Sequence, residues 1–510
     1  MRTERARAPA RDEEPSTREK LFMSKEMQAG PASALILEES VRRRLWRRTM
    51  SLVEEYVEGV ETARVAPLLE LEKLQALLAP FDFEQPREPL EMLDEIAQGL
   101  WRYQVHTPHP RYFGLFNPAP TAMGIAADTL VAAFNPQLAA WSHSPLAAEI
   151  EQHLVRAFGS KFGYDPEQTD GTFASGGAEA NHTAMLTALV HSFPDFARRG
   201  VRGLDAQPVV YVSGQSHHSF IKAARFCGLG TDAVREIPVD DDLRMNVGAL
   251  ASQIAGDRSE GFAPLMIVAT AGTTSAGIVD PIGELAGLAA VEGLWLHVDA
   301  AWGGAAAILP ELRPLLAGVE RADSITFDAH KWLSVPMAAG IYLTRHPEIL
   351  ARTCGYAADY MPRDAAGLDV TDPYSHSLQW SRRFTGLKVF LSLAVAGWEG
   401  YETAIRHQVA MGELLRGELA SSGWETVNET RLPVVCFVDA GSSEGRSARY
   451  LEEVAREVVI SGRAWISTAR LGPERTALRA CITNYRTQAA DVQALVRALN
   501  EARQKLNQSS

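Results

Sequence analysis

Two short segments set an acid and an amine where chemistry can use them. Leu294-Trp295-Leu296-His297-Val298-Asp299-Ala300-Ala301-Trp302-Gly303-Gly304 reads as an apolar strand that delivers Asp299 at its end. Ser324-Ile325-Thr326-Phe327-Asp328-Ala329-His330-Lys331-Trp332 reads the same way and delivers His330 and Lys331. In a parallel α/β sheet the carboxyl ends of the strands face the ligand crevice. A lysine there can condense with an aldehyde, and an acid can keep a pyridine nitrogen protonated so that the ring withdraws electrons. Those are the requirements of pyridoxal phosphate. A lone lysine after a strand is more often a solvated strand end, and a lone aspartate a helix cap. The pair, taken with the segments below, outweighs that bland reading.

Four further segments carry polar groups in strand–turn–helix settings. Ser175-Gly176-Gly177-Ala178-Glu179-Ala180-Asn181 opens a helix, and its glycines let backbone N–H groups approach an anion at the positive end of the helix. His217 and His218 follow the run Val210-Tyr211-Val212, and Thr273 and Thr274 follow Ala269-Thr270. Asp372 to Phe384 lies past a stretch punctuated by glycine and proline, where mobile lids are common, and holds Tyr374. Alone, each also fits a plain polar turn.

HVDAAWGG, ADSITFDAHKW, SGGAEAN and SLQWSRRF resemble the signatures of the PLP-dependent group II amino-acid decarboxylases, from about Leu90 to Thr487. The resemblance implies PLP fold type I: a large, mostly parallel seven-stranded α/β domain, a small C-terminal α+β domain and an N-terminal helical segment. It implies pyridoxal 5'-phosphate as cofactor, with Lys331 forming the Schiff base and Asp299 facing the pyridine nitrogen. It places His217 on the ring face and Ala301 beneath the ring. Gly177, Ala178 and His330 fall at the phosphate, and Thr274 at the substrate carboxylate or ring oxygen. Many relatives have Ser or Thr at Ala178, so here the backbone N–H groups of Gly177 and Ala178 carry the contact. Tyr374 matches the loop tyrosine that returns a proton to the substrate carbon after CO2 leaves, in the neighbouring subunit's site. Phe116 and Asn117 match the substrate-pocket segment. Asp328, where some relatives have Asn, receives no role.

The expected activity is decarboxylation of an L-amino acid to its amine, an aromatic one favoured by Phe116 and Trp302. Decarboxylation of an acidic or diamino acid, or aldehyde synthesis, stays open, as does a non-catalytic partner-binding protein.

The chain has 510 residues, 46% hydrophobic and 22% charged, with a formal charge of −13. That suits a soluble, multidomain globular protein and argues against nucleic acid as partner. Cys227, Cys354, Cys436 and Cys481 show no CxxC spacing, so neither a metal site nor a disulfide framework is expected, and a cytoplasmic setting fits. No apolar run approaches membrane-spanning length. Residues 1–35 read as a disordered lead-in without a secretory signal. Residues 36–122 read as a helical segment, with Val41, Leu45, Leu52, Val53 and Val57 at helical spacing; the resemblance implies that it is a dimerisation segment packed against a second subunit, with a helical cap on its own subunit as the alternative. Strands are expected at Pro208–Val212, Leu265–Thr270, Leu294–Val298, Asp323–Phe327 and Gly340–Leu343 within a PLP-binding domain over 123–400. Three more fall in a small domain over 401–510. The resemblance implies a homodimer with shared active sites.

Overall fold

The computed structural model describes residues 35–356, 365, 367–472 and 475–509. Apart from Leu35, the expected lead-in lies outside the described residues. The chain divides into two compact units, one reaching to Gly59 and resuming over Leu69–Tyr103, the other holding Val60–Leu68 and everything from Gln104.

The first unit is helical, with helices Glu39–Gly59, Leu71–Leu78 and Pro89–Tyr103. Tyr56 meets Trp101 edge to face at 5.3 Å, and Arg48 pairs with Asp94 at 2.6 Å. None of these helices buries a residue, and Trp46, Met50, Leu71, Leu78 and Leu100 are exposed.

The second unit is built on a seven-stranded sheet. Its strands are β1 (Asp170–Ala174), β2 (Pro208–Ser213), β3 (Val234–Ile237), β4 (Ala263–Thr270), β5 (Trp295–Asp299), β6 (Ser324–Asp328) and β7 (Gly340–Thr344). They lie in the order β1-β7-β6-β5-β4-β2-β3, and β7 alone runs antiparallel to its neighbours. This is the expected mostly parallel α/β architecture. Helices between the strands cover the sheet, so β2, β5, β6 and β7 are buried along their whole lengths. The sequence runs pointed to β2 and β4–β7 but not to the two edge strands. Asp170-Gly171-Thr172-Phe173-Ala174 is poor in β-branched residues because its neighbour leaves no space: a Cβ on Gly171 would come within 2.4 Å of the Tyr342 carbonyl. β3 is short and half-exposed.

Helix Gly386–Ser421 leads from this sheet to a second one and breaks at Gly397, whose φ of 65° leaves the helical region. The second sheet is antiparallel, in the order β10-β11-β9-β8, from β8 (Trp424–Thr426), β9 (Val434–Asp439), β10 (Ser467–Arg470) and β11 (Thr476–Cys481). Helices Ala448–Ser461 and Ala489–Ser509 complete this α+β part.

Candidate active site

Parallel β4, β5 and β6 bring their carboxyl ends to one edge, with Thr270 in register with Asp299 and Asp299 with Thr326. The last residues of β5 and β6 are Asp299 and Asp328, and His330 and Lys331 follow in the turn after β6. The acid and the amine predicted from sequence therefore lie at the ends of adjacent strands.

Asp299 is buried, and every contact it makes fixes its carboxylate. Its Oδ1 accepts the Ala301 N–H at 3.2 Å, and its Oδ2 accepts Asn181 Nδ2 at 2.9 Å. The same amide nitrogen donates to Ser219 Oγ at 2.9 Å, and Asn181 Oδ1 faces His297 Nε2 at 3.1 Å. The amide thus spends both hydrogens, and its oxygen is left to accept from His297. Burial pushes the His297 pKa down to about 4, so this ring is neutral at physiological pH. Ser219 Oγ also pairs with His217 Nδ1 at 2.9 Å, while the Ser219 N–H donates to the same nitrogen at 3.3 Å. An accepting Nδ1 leaves the proton of the neutral ring on Nε2. Burial lowers the His217 pKa as well. One hydrogen-bonded chain therefore runs His217–Ser219–Asn181–Asp299.

Lys331 Nζ lies 2.9 Å from Asp328 Oδ2, with about a quarter of its side chain exposed. His330 is buried; its Nδ1 accepts the Ala339 N–H at 3.0 Å, and burial lowers its pKa. Helix Gly177–Ser192 begins opposite, after Gly176. A Cβ on Gly177 would meet Asp328 Oδ2 at 2.9 Å and the Ala301 Cβ at 3.3 Å, and one on Gly176 would meet the His330 ring at 3.6 Å. At Gly177 a side chain would crowd Asp328, whereas at Gly176 it would meet the His330 ring only at ordinary contact distance. Ser175 does not face the opening: its hydroxyl and N–H both donate to Glu179, at 2.6 and 2.9 Å.

Thr274 is exposed on the loop after β4, and its carbonyl accepts Arg479 Nε at 2.8 Å. Phe116 is buried, stacked on Trp302 at 4.5 Å, with the Arg479 guanidinium 4.9 Å from its ring. Asn117 is half-buried and points its amide to Met337 Sδ at 2.9 Å. Tyr374 lies in the turn Pro373–His376; its N–H donates to the Ala139 carbonyl at 3.1 Å and its ring stacks on Trp380 at 4.8 Å. Gln379 ties that loop to the glycine turn, donating to both Glu179 oxygens at 2.8 and 2.9 Å.

Sequence reasoning missed Asn181, Ser219 and Arg479. Asn181 closes the quoted SGGAEAN segment one helical turn after Gly177, so its spacing was the available signal. Arg479 sits on β11, 2% exposed, donating to the carbonyls of Thr274 and Gly114, and its Nη2 has no partner. Among the described residues no group of His, Cys, Asp or Glu is placed to hold a metal ion.

The residues fit pyridoxal phosphate: an amine for its aldehyde, an oriented buried acid for its ring nitrogen, a small Ala301, and a helix start that Gly177 keeps clear of a side chain. The conserved domain of the pyridoxal-dependent decarboxylases matches residues 72–439. The chain belongs to that family. It is 31% identical over 458 residues to an aromatic-L-amino-acid decarboxylase of Bacillus atrophaeus, covering 88% of this chain and 93% of the relative. It is 32% identical over 377 residues to the cysteine sulfinic acid decarboxylase of Mus musculus, covering 73% and 76%. The crystal structure of Oryza sativa TDC with PLP and tryptamine superposes with a TM-score of 0.86 at 25% identity, over 92% of this chain and 99% of the other. The protein is thus a PLP-dependent amino-acid decarboxylase.

Proposed function

We propose that this decarboxylase acts on an aromatic L-amino acid, as a homodimer in the cytoplasm. The observation that carries the substrate reading is the buried stack of Phe116 on Trp302, continued by Trp332 at 5.5 Å from Trp302, beside the Thr274 loop. The relative from Bacillus atrophaeus supports it.

When bound, pyridoxal phosphate supplies an aldehyde for the lysine and a ring that accepts the electrons released with CO2. Lys331 would hold it through its side-chain amine. Asp299, held by Asn181 and the Ala301 N–H, keeps a proton on the ring nitrogen by charge complementarity. His217, held by Ser219, would offer a flat ring for the cofactor to stack on. Gly177, Ala178 and His330 would hold the phosphate, and the small Ala301 would leave room for the ring. Thr274 and Arg479 Nη2 offer donors to a substrate carboxylate. Tyr374 returns the proton to the carbon that has lost CO2. Asn117 borders the substrate side chain.

The unpaired Arg479 nitrogen favours a second reading, an acidic substrate whose side-chain carboxylate it would neutralise. The uncovered apolar residues of the N-terminal helices support dimerisation. Four free cysteines suit a reducing compartment, and no described helix is long and apolar enough to cross a membrane. The test is a mass-spectrometric screen of PLP-loaded protein against the L-amino acids. An amine from an aromatic amino acid is expected; turnover of aspartate or cysteine sulfinate alone would replace the aromatic reading with the acidic one.

A further inference from the structure

Asp328 is 1% exposed and ends β6 between three groups. Its Oδ2 pairs with Lys331 Nζ at 2.9 Å, lies 3.9 Å from His330 Nε2 and sits 2.9 Å from where a Gly177 Cβ would be. Its Oδ1 is buried without a hydrogen-bond partner. A carboxylate therefore stands against the start of helix Gly177–Ser192, where an anionic ligand would be received. Little nearby offsets its charge. Among the described residues Lys331 is the one cation in contact, and His330 is held towards its neutral form by burial. His217 is a further titratable group coupled to its charge, without a bond to it; Lys388, which acts on His330, is spent on Asp128 and the Met337 carbonyl. Nor does the turn offset it with hydroxyls, since Ala178 has none and Ser175 gives its own to Glu179.

We propose that Asp328 weakens the grip of this site on the cofactor phosphate, so that the protein holds pyridoxal phosphate loosely and is loaded in proportion to its supply. The inference rests on the cofactor site described above. Two like charges in a partly desolvated setting a few ångströms apart repel by more than the about 1.4 kcal/mol that makes a tenfold change in affinity.

Binding of pyridoxamine phosphate and of pyridoxamine, neither of which can condense with Lys331, isolates the phosphate contribution. Dissociation constants for both would be measured by fluorescence titration of full-length wild type, Asp328→Asn and Asp328→Ser. Removal of the charge should tighten pyridoxamine phosphate at least about tenfold while changing pyridoxamine little. The same result in both variants separates charge from shape and guards against one of them folding poorly. Equal or weaker phosphate binding in the variants would overturn the proposal and leave the site reading intact. Binding of neither pyridoxamine phosphate nor pyridoxal phosphate by any of the three proteins would overturn the site reading as well.

Discussion

Asn181 Nδ2 lies 2.9 Å from Asp299 Oδ2, and through this contact the helix of the glycine turn orients the acid at the end of β5. The same amide reaches Ser219 and His297, so one side chain couples three polar groups in a water-poor interior. Asn181→Ala would leave Asp299, Ser219 and His297 short of a partner each. A stability loss of about 1–3 kcal/mol is expected. Affinity for pyridoxal phosphate should also fall at least about tenfold, because a carboxylate free to rotate no longer meets the ring nitrogen in one geometry. Urea unfolding and a visible-absorbance titration with the cofactor measure the two effects; unchanged cofactor affinity would contradict the coupling.

The space in front of Gly177 is the second point of leverage. Gly177→Ala forces a Cβ to within 2.9 Å of Asp328 Oδ2 and 3.3 Å of Ala301. The fold should survive at a cost of about 1–3 kcal/mol, and cofactor affinity should drop more than the thermal midpoint suggests. Equilibrium dialysis against pyridoxal phosphate checks this, with binding equal to wild type as the contrary result.

Tyr374 and the fate of the reacting carbon can be read from products. Tyr374→Phe keeps the stack on Trp380 and removes only the hydroxyl. In aerated buffer, amine formation should fall while aldehyde, ammonia and hydrogen peroxide appear in its place at the expense of dissolved dioxygen and water, followed by mass spectrometry and a peroxidase-coupled assay. An unchanged amine yield would move the proton donor elsewhere.

The pH dependence of stability has a definite sign at His297. Burial pushes its pKa down to about 4, against about 6.5 for an exposed histidine. Between these values the unfolded chain binds a proton that the folded chain refuses. The contribution is therefore complete above about pH 6.5 and is lost as the pH falls towards about 4, by up to about 3 kcal/mol. His297→Gln should remove that component, so the stability gap between wild type and variant should shrink on going from about pH 7 to about pH 5 in urea titrations. A gap independent of pH would contradict a buried, neutral His297.

Much of this site was legible because its chemistry sits at strand ends. Asp299, His330 and Lys331 follow apolar runs whose lengths announce β5 and β6, and parallel strands bring their ends together whatever the intervening helices contain. The helix start at Gly176 and Gly177 was legible from composition. Asn181, Ser219 and Arg479 were not, because their meaning arises from contacts across the fold. Arg479 lies on a strand of the second sheet and reaches Thr274 and Gly114, 205 and 365 residues away in sequence. Asp328 was visible as a residue but without a role; its pairing with Lys331 and its closeness to Gly177 depend on the turn after β6 and the helix start facing each other. The edge strands β1 and β3 escaped for different reasons: β1 carries Gly171, whose Cβ would come within 2.4 Å of the Tyr342 carbonyl, and β3 is four residues long with Arg235 and Glu236 between its two β-branched residues.

The attachment of the cofactor to Lys331 can be tested most directly by reducing PLP-loaded protein with borohydride and mapping the peptides by mass spectrometry. The phosphopyridoxyl label should lie on Lys331 and be absent from that peptide in Lys331→Ala. A label on another lysine, or an unlabelled protein that still releases CO2, would contradict the assignment of Lys331 as the residue that carries the cofactor.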